Sequence, residues 1–61
     1  MTLGSRVRVT RNGKFLRKGD EGVIVGITKN LPVGTVDFRV SFENDHVETV
    51  PNVDLEVVAR D

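Results

Sequence analysis

Apolar residues recur along this chain at every second position, the period of an extended strand with one buried face. The clearest run sets Val36, Phe38, Val40 and Phe42 against Asp37, Arg39, Ser41 and Glu43. That alternation predicts a half-buried antiparallel strand. An earlier strand over about residues 5–11 places Val7 and Val9 on one side and Arg6, Arg8 and Thr10 on the other. Further strands are expected over about 22–28 (GVIVGIT), 46–50 (HVETV) and 55–59 (LEVVA). No stretch keeps the 3.6-residue spacing of a helix for long.

The segments between the strands carry turn chemistry. A long polar loop, NGKFLRKGD, follows the first strand, and Pro32 and Gly34 punctuate a turn over 29–34. Asn44-Asp45 predicts a tight hairpin turn. Pro51 has no N–H to give to a ladder, so PNVD is expected to form a corner with one 3₁₀ turn before the last strand. Five short strands, a long first loop, a tight third hairpin and that corner predict an all-β domain, a five-stranded SH3-like barrel spanning residues 1–61. Closing the sheet would remove edges open to pairing between molecules. The expected core is Val7, Val9, Val23, Val25, Ile27, Phe38, Val40, Phe42, Val47, Val53, Leu55 and Val57.

Length narrows the means of stabilisation. With 61 residues the chain forms one domain, and such a domain buries only about 60% of the surface its unfolded form exposes. Cysteine is absent, which excludes disulfides, thiolate metal sites and cysteine nucleophiles. With a single histidine, a metal site would rest on carboxylates, and none is expected. No cofactor is expected either. A compact core or self-association remains as the source of stability. No run approaches the roughly 20 apolar residues of a membrane span, and no charged-then-apolar leader is visible, so the expected location is cytoplasmic.

Nine cations balance nine acids, yet they are segregated. Residues 1–18 carry Arg6, Arg8, Arg11, Lys14, Arg17 and Lys18 with no acid, whereas residues 30–61 carry seven acids against Arg39 and Arg60. A neutral total thus conceals a basic N-terminal third and an acidic C-terminal half.

The first half resembles a KOW-type motif of the ribosomal and transcription-elongation barrels, with Gly13, Phe15, Gly19, Gly22 and Val23 at the matching positions and a loop longer than that family's. The resemblance implies a nucleic-acid-binding barrel. The outline is also similar to small photosynthetic accessory barrels, one from photosystem I and the other the variable chain of ferredoxin–thioredoxin reductase, which dock onto larger redox complexes. A third resemblance covers more of the chain. Arg6-Val7-Arg8, Ile24-Val25-Gly26, Asn30-Leu31, Gly34, Val47, Pro51 and Leu55-Glu56 fall at nearly the spacing of the plasmid-borne type II dihydrofolate reductases. Those are SH3-like barrels whose tetramer encloses an active pore. Where that family carries a Val-Gln-Ile-Tyr run, this chain has Val47-Glu48-Thr49-Val50, so the resemblance implies the fold without the groups that line folate and nicotinamide.

The basic third supplies the candidate contact residues: Arg6, Arg8, Lys14, Phe15, Arg17 and Lys18. Arg6 and Arg8, two apart on a strand, project from one face about 7 Å apart. Cations beside an aromatic ring suit a phosphate backbone with a stacked base. The split of charge equally suits self-association or docking on another protein. The plainer alternatives are that Phe15 folds beneath its loop as a lid and that the arginines pair with acids on a neighbouring strand. Gly19-Asp20-Glu21-Gly22 reads as a turn, since a phosphate cradle would lead into a helix and would not carry two acids. His46, with no serine or cysteine placed to use it, reads as a solvated turn residue. Asp37, Arg39 and Glu43 share an outward face and are expected to form a modest surface ion pair. The reading is a non-enzymatic module with no catalytic residues, whose leading partner is a protein or a second copy. The alternatives are single-stranded RNA or DNA, or a divergent type II reductase-like barrel.

Overall fold

Runs of β-branched and aromatic residues extend the chain into five strands: β1 (Arg6–Val9), β2 (Glu21–Asn30), β3 (Thr35–Ser41), β4 (Val47–Pro51) and β5 (Leu55–Ala59). The computed structural model describes residues 1–30 and 32–59, apart from the side chains of Asn30, Asn44 and Ala59. Leu31, in the turn expected over 29–34, and Arg60 and Asp61 of the acidic half lie outside the described residues. All pairings are antiparallel, in the order β4-β3-β2-β1-β5. A 3₁₀ turn over Glu43–Asp45 joins β3 to β4, and another over Asn52–Asp54 precedes β5. The all-β class, the five strands and the 3₁₀ corner are those the alternation predicts. Among the described residues β4 and β5 do not pair with each other, so hydrogen bonds do not close the barrel.

One face of this single sheet buries Val7, Val9, Ile24, Phe38, Val40, Val50 and Leu55, at least one from every strand. Among the described residues no second layer covers them, so the sheet curls around its own side chains, as strand twist favours. Leu16, Val36, Phe42 and Val57 pack against the rim of this cluster. Gly22 is required where β2 closes against the end of β3. A Cβ there would lie 2.5 Å from the Ser41 carbonyl oxygen and 2.7 Å from a Val40 methyl.

The inward set differs from the expected one in β2 and β4. Ile24 is buried, whereas Val25 and Ile27 are exposed and Val23 is half-buried. The cause is a bulge: Ile24 pairs with Val40 and Gly26 with Arg39, which leaves Val25 as the extra residue. Beyond it Ile27 regains the inward side opposite Phe38, but at an end of the sheet that leaves it open to solvent. In β4 the register puts Val50 opposite Phe38 and Val47 opposite Ser41, so Val50 is inside and Val47 outside. Val53, in the 3₁₀ corner, points outward. Pro51, expected in the corner, belongs to β4 and stands opposite Asp37, so the corner begins one residue later, at Asn52.

Candidate functional site

The six candidate contact residues divide between a strand and a loop, and the fold treats the two groups differently. Arg8 stands opposite Glu21 of β2 on one side and Glu56 of β5 on the other. Its guanidinium reaches both carboxylates at 3.3 Å. Arg11, just beyond the strand, lies 3.5 Å from Asp54. The N-terminal basic third and the acidic C-terminal half are therefore interleaved in space, because β1 lies between β2 and β5. Arg8 is neutralised within its own chain. Arg6, opposite Val23 and Ala59, has no ion pair among the described residues.

The loop between β1 and β2 is held by its own backbone. Val9 N–H donates to the Asp20 carbonyl and Gly19 N–H to that of Val9, each at 2.8 Å. Gly19 has φ +100°, a conformation that costs glycine little. Further out, Gly13 N–H donates to the Leu16 carbonyl at 2.8 Å and Lys18 N–H to Asn12 Oδ1 at 2.9 Å. Arg17 N–H donates to Asp20 Oδ2 at 3.0 Å. These bonds turn Leu16 inward against the core, and Leu16 fills the place of a lid. Phe15 is left 69% exposed. Lys14 Nζ lies 5.4 Å from its ring centroid, within cation–π range. Lys14, Arg17 and Lys18 make no ion pair among the described residues.

Two concavities flank this loop. The larger, an open groove of about 900 Å³, runs between the loop and the β3–β4 turn and is bordered by Arg6, Phe15, Asp20, Glu21, Glu43 and His46. The smaller, about 180 Å³, lies between the loop and β4, with Val9, Leu16 and Val50 forming its floor and Lys14, Phe15 and Thr49 at its edge. Carboxylates therefore border both: Asp20, Glu21 and Glu43 in the first, Glu48 and Asp54 in the second.

His46 is exposed at the end of the 3₁₀ turn, and its Nε2 lies 2.7 Å from Glu48 Oε1. The ion pair expected among Asp37, Arg39 and Glu43 does not form among the described residues; the Arg39 stem lies across Gly26 instead. In the Glu48-Thr49-Val50 run, Glu48 meets His46, Thr49 is exposed and Val50 enters the core. The described residues contain no group of three or more side chains able to hold a metal ion. No helix among them is long and apolar enough to cross a membrane.

Sequence reasoning missed the Arg11–Asp54 pair, the inward turn of Leu16 and the pocket beside β4. The first and the last depend on segments far apart in the chain, the turn of Leu16 depends on hydrogen bonds within its loop, and only Pro51, a residue confined to strand edges, hinted at the pocket. No family model matches the chain, and comparison with curated proteins and with solved structures gives no significant match.

Proposed function

We propose that this chain is a small non-enzymatic binding module that contacts other proteins through the β1–β2 loop, with Lys14, Phe15, Arg17 and Lys18 as the contact residues and Arg6 beside them. The observation that carries this reading is the exposure of Phe15 on a loop fixed by its own hydrogen bonds, with Lys14 beside the ring and Arg17 and Lys18 on the same loop, none of the three in an ion pair among the described residues. An exposed ring held in place loses little conformational freedom on binding, which is why aromatic residues serve as interface anchors. The strand number, the pairing of β1 with β5 and the 3₁₀ corner support classing the domain with the SH3-like barrels.

A protein partner is favoured over nucleic acid by the carboxylates bordering the larger concavity, Asp20, Glu21 and Glu43. A phosphate backbone leaving the loop on that side would meet them, and Arg8, already paired with Glu21 and Glu56, has no free charge to offset the repulsion. A protein surface of mixed charge meets no such obstacle. The exposed ring on a loop with three cations supports single-stranded nucleic acid as the second reading.

The test is to capture partners on the immobilised chain, purify the captured protein and titrate it against the wild type and Phe15→Ala. The expected loss of affinity is about tenfold or more, the size of an anchor residue. Equal binding by both, or binding only of oligonucleotides with a steep salt dependence, overturns the reading.

A further inference from the structure

We propose that the groove between the β1–β2 loop and the outer edge of β4 takes an extended, acidic segment of a partner protein as an added strand. This rests on the reading of the chain as a protein-binding module and specifies how the partner is held.

The hydrogen-bonding phase of β4 follows from its hairpin. Phe42 N–H donates to the His46 carbonyl at 2.7 Å, and the register runs without a break from Ser41↔Val47 to Asp37↔Pro51. Antiparallel pairs alternate between bonded and non-bonded. Glu48 and Val50 therefore direct their backbone groups at β3, and Val47 and Thr49 direct theirs away from it. Pro51 falls on the outward phase, where its missing N–H costs the sheet nothing. The outward N–H groups of Val47 and Thr49 have no backbone partner among the described residues.

That edge faces a pocket, since Glu48, Thr49, Val50 and Pro51 form one wall of the small concavity and Lys14, Phe15 and Leu16 the other. Its volume of about 180 Å³ is below the roughly 300–1,000 Å³ of small-molecule sites. One apolar side chain of a bound segment fits there, over Val9, Leu16 and Val50. An extended chain offers such a side chain at every second residue, together with the backbone groups that complete the edge.

Charge selects among extended chains. Of the acids beside this groove, Asp54 is paired with Arg11 at 3.5 Å, and Glu48, 2.7 Å from His46 Nε2, stands as a single carboxylate. Lys14 at the rim, with Arg17 and Lys18 on the same loop, has no such partner among the described residues. Three cations on the loop against that one carboxylate leave this side of the molecule positive, which favours a segment carrying carboxylates.

The experiment titrates the full chain with a short, end-capped peptide of alternating valine and glutamate, with a valine–lysine peptide and oligo-dT as controls. Amide hydrogen exchange and chemical shifts are followed residue by residue. The expected result is binding of the glutamate peptide alone, with exchange at Val47 and Thr49 slowed about tenfold or more. Thr49→Pro should abolish the binding, since it removes an outward donor. Because that variant alters the backbone, slowed exchange in the wild type is the deciding measurement. Shifts confined to residues 14–18, with Val47 and Thr49 exchanging as before, overturn strand addition and leave the loop-docking reading intact. Equal binding of the lysine peptide overturns the acidic preference, and stronger binding of oligo-dT overturns both proposals. Failure of the glutamate peptide to bind at all overturns this proposal, whereas the Phe15→Ala titration alone decides the wider reading. Protection of Thr49 in the free chain at a doubled native mass assigns the edge to a second copy and overturns it too.

Discussion

Arg8 and Lys14 lie six residues apart in the same basic stretch, yet they meet opposite surroundings. Arg8 sits on a central strand, with Glu21 opposite it on β2 and Glu56 opposite it on β5. Lys14 sits at the tip of a loop, beside an exposed ring and near no carboxylate within pairing distance among the described residues. Strand neighbours are imposed by register, so a charge on a central strand finds partners on both sides. A loop has only the neighbours its own turns create. The same residue chemistry thus knits the scaffold in one place and faces solvent in the other.

The widest break in this contrast comes from removing the sheet that holds Glu21 and Glu56 around Arg8. Ile24→Ala leaves a cavity among Val7, Val9 and Val40 and should cost about 2–5 kcal/mol. A 61-residue domain has roughly 3–9 kcal/mol of total stability, so urea denaturation should find much of the variant unfolded. Val25→Ala, one residue along on the exposed bulge, should shift the midpoint by no more than about 0.5 kcal/mol. Equal effects would mean that the bulge does not set the phase of β2.

Gly22→Ala probes the same scaffold more gently. The added methyl would lie 2.5 Å from the Ser41 carbonyl oxygen and 2.7 Å from a Val40 methyl, closer than Cβ contacts come, so the backbone of β2 or β3 must shift. Thermal unfolding should show a loss of about 1–3 kcal/mol.

The smallest effect sharpens the comparison most directly. Arg8→Gln should lower stability by less than about 1 kcal/mol, because both of its pairs are more than a third exposed. That difference should shrink as salt rises. Lys14→Gln should leave the unfolding curve unchanged and weaken only the binding of the partner. A larger stability loss from Lys14→Gln than from Arg8→Gln would reverse the assignment of roles.

Much of the scaffold was legible because β3 alternates without ambiguity: Val36, Phe38, Val40 and Phe42 have a single possible phase. β2 was not legible in the same way. Alternation favours Val23, Val25 and Ile27 over Ile24 with its glycine neighbours, and a bulge opposite Arg39 and Val40, invisible in that alternation, turns Ile24 inward instead. Val47 and Val50 differ in parity, so one had to face out, and only the pairing of Val50 with Phe38 settles which. The candidate site was legible as a list of residue types. Its division into paired and unpaired cations depends on β5 returning to β1, which no local pattern announces. Phe15 and Leu16 are adjacent apolar residues of one loop, and the turn set by Gly13 and Leu16 chooses which is buried.

The pairing of β1 with β5 governs how the chain reaches its native state. Val9 and Leu55 are neighbours in the sheet and in the core, though most of the sequence separates them. The hairpins of β2, β3 and β4 can form from nearby residues, but the cluster they surround stays open until the two distant strands meet. Folding is therefore expected to be cooperative and in the slower range of small domains, milliseconds to seconds. Fragments ending before Leu55 should remain uncollapsed, so proteolytic trimming of the last strand would switch the whole domain off in a single cut.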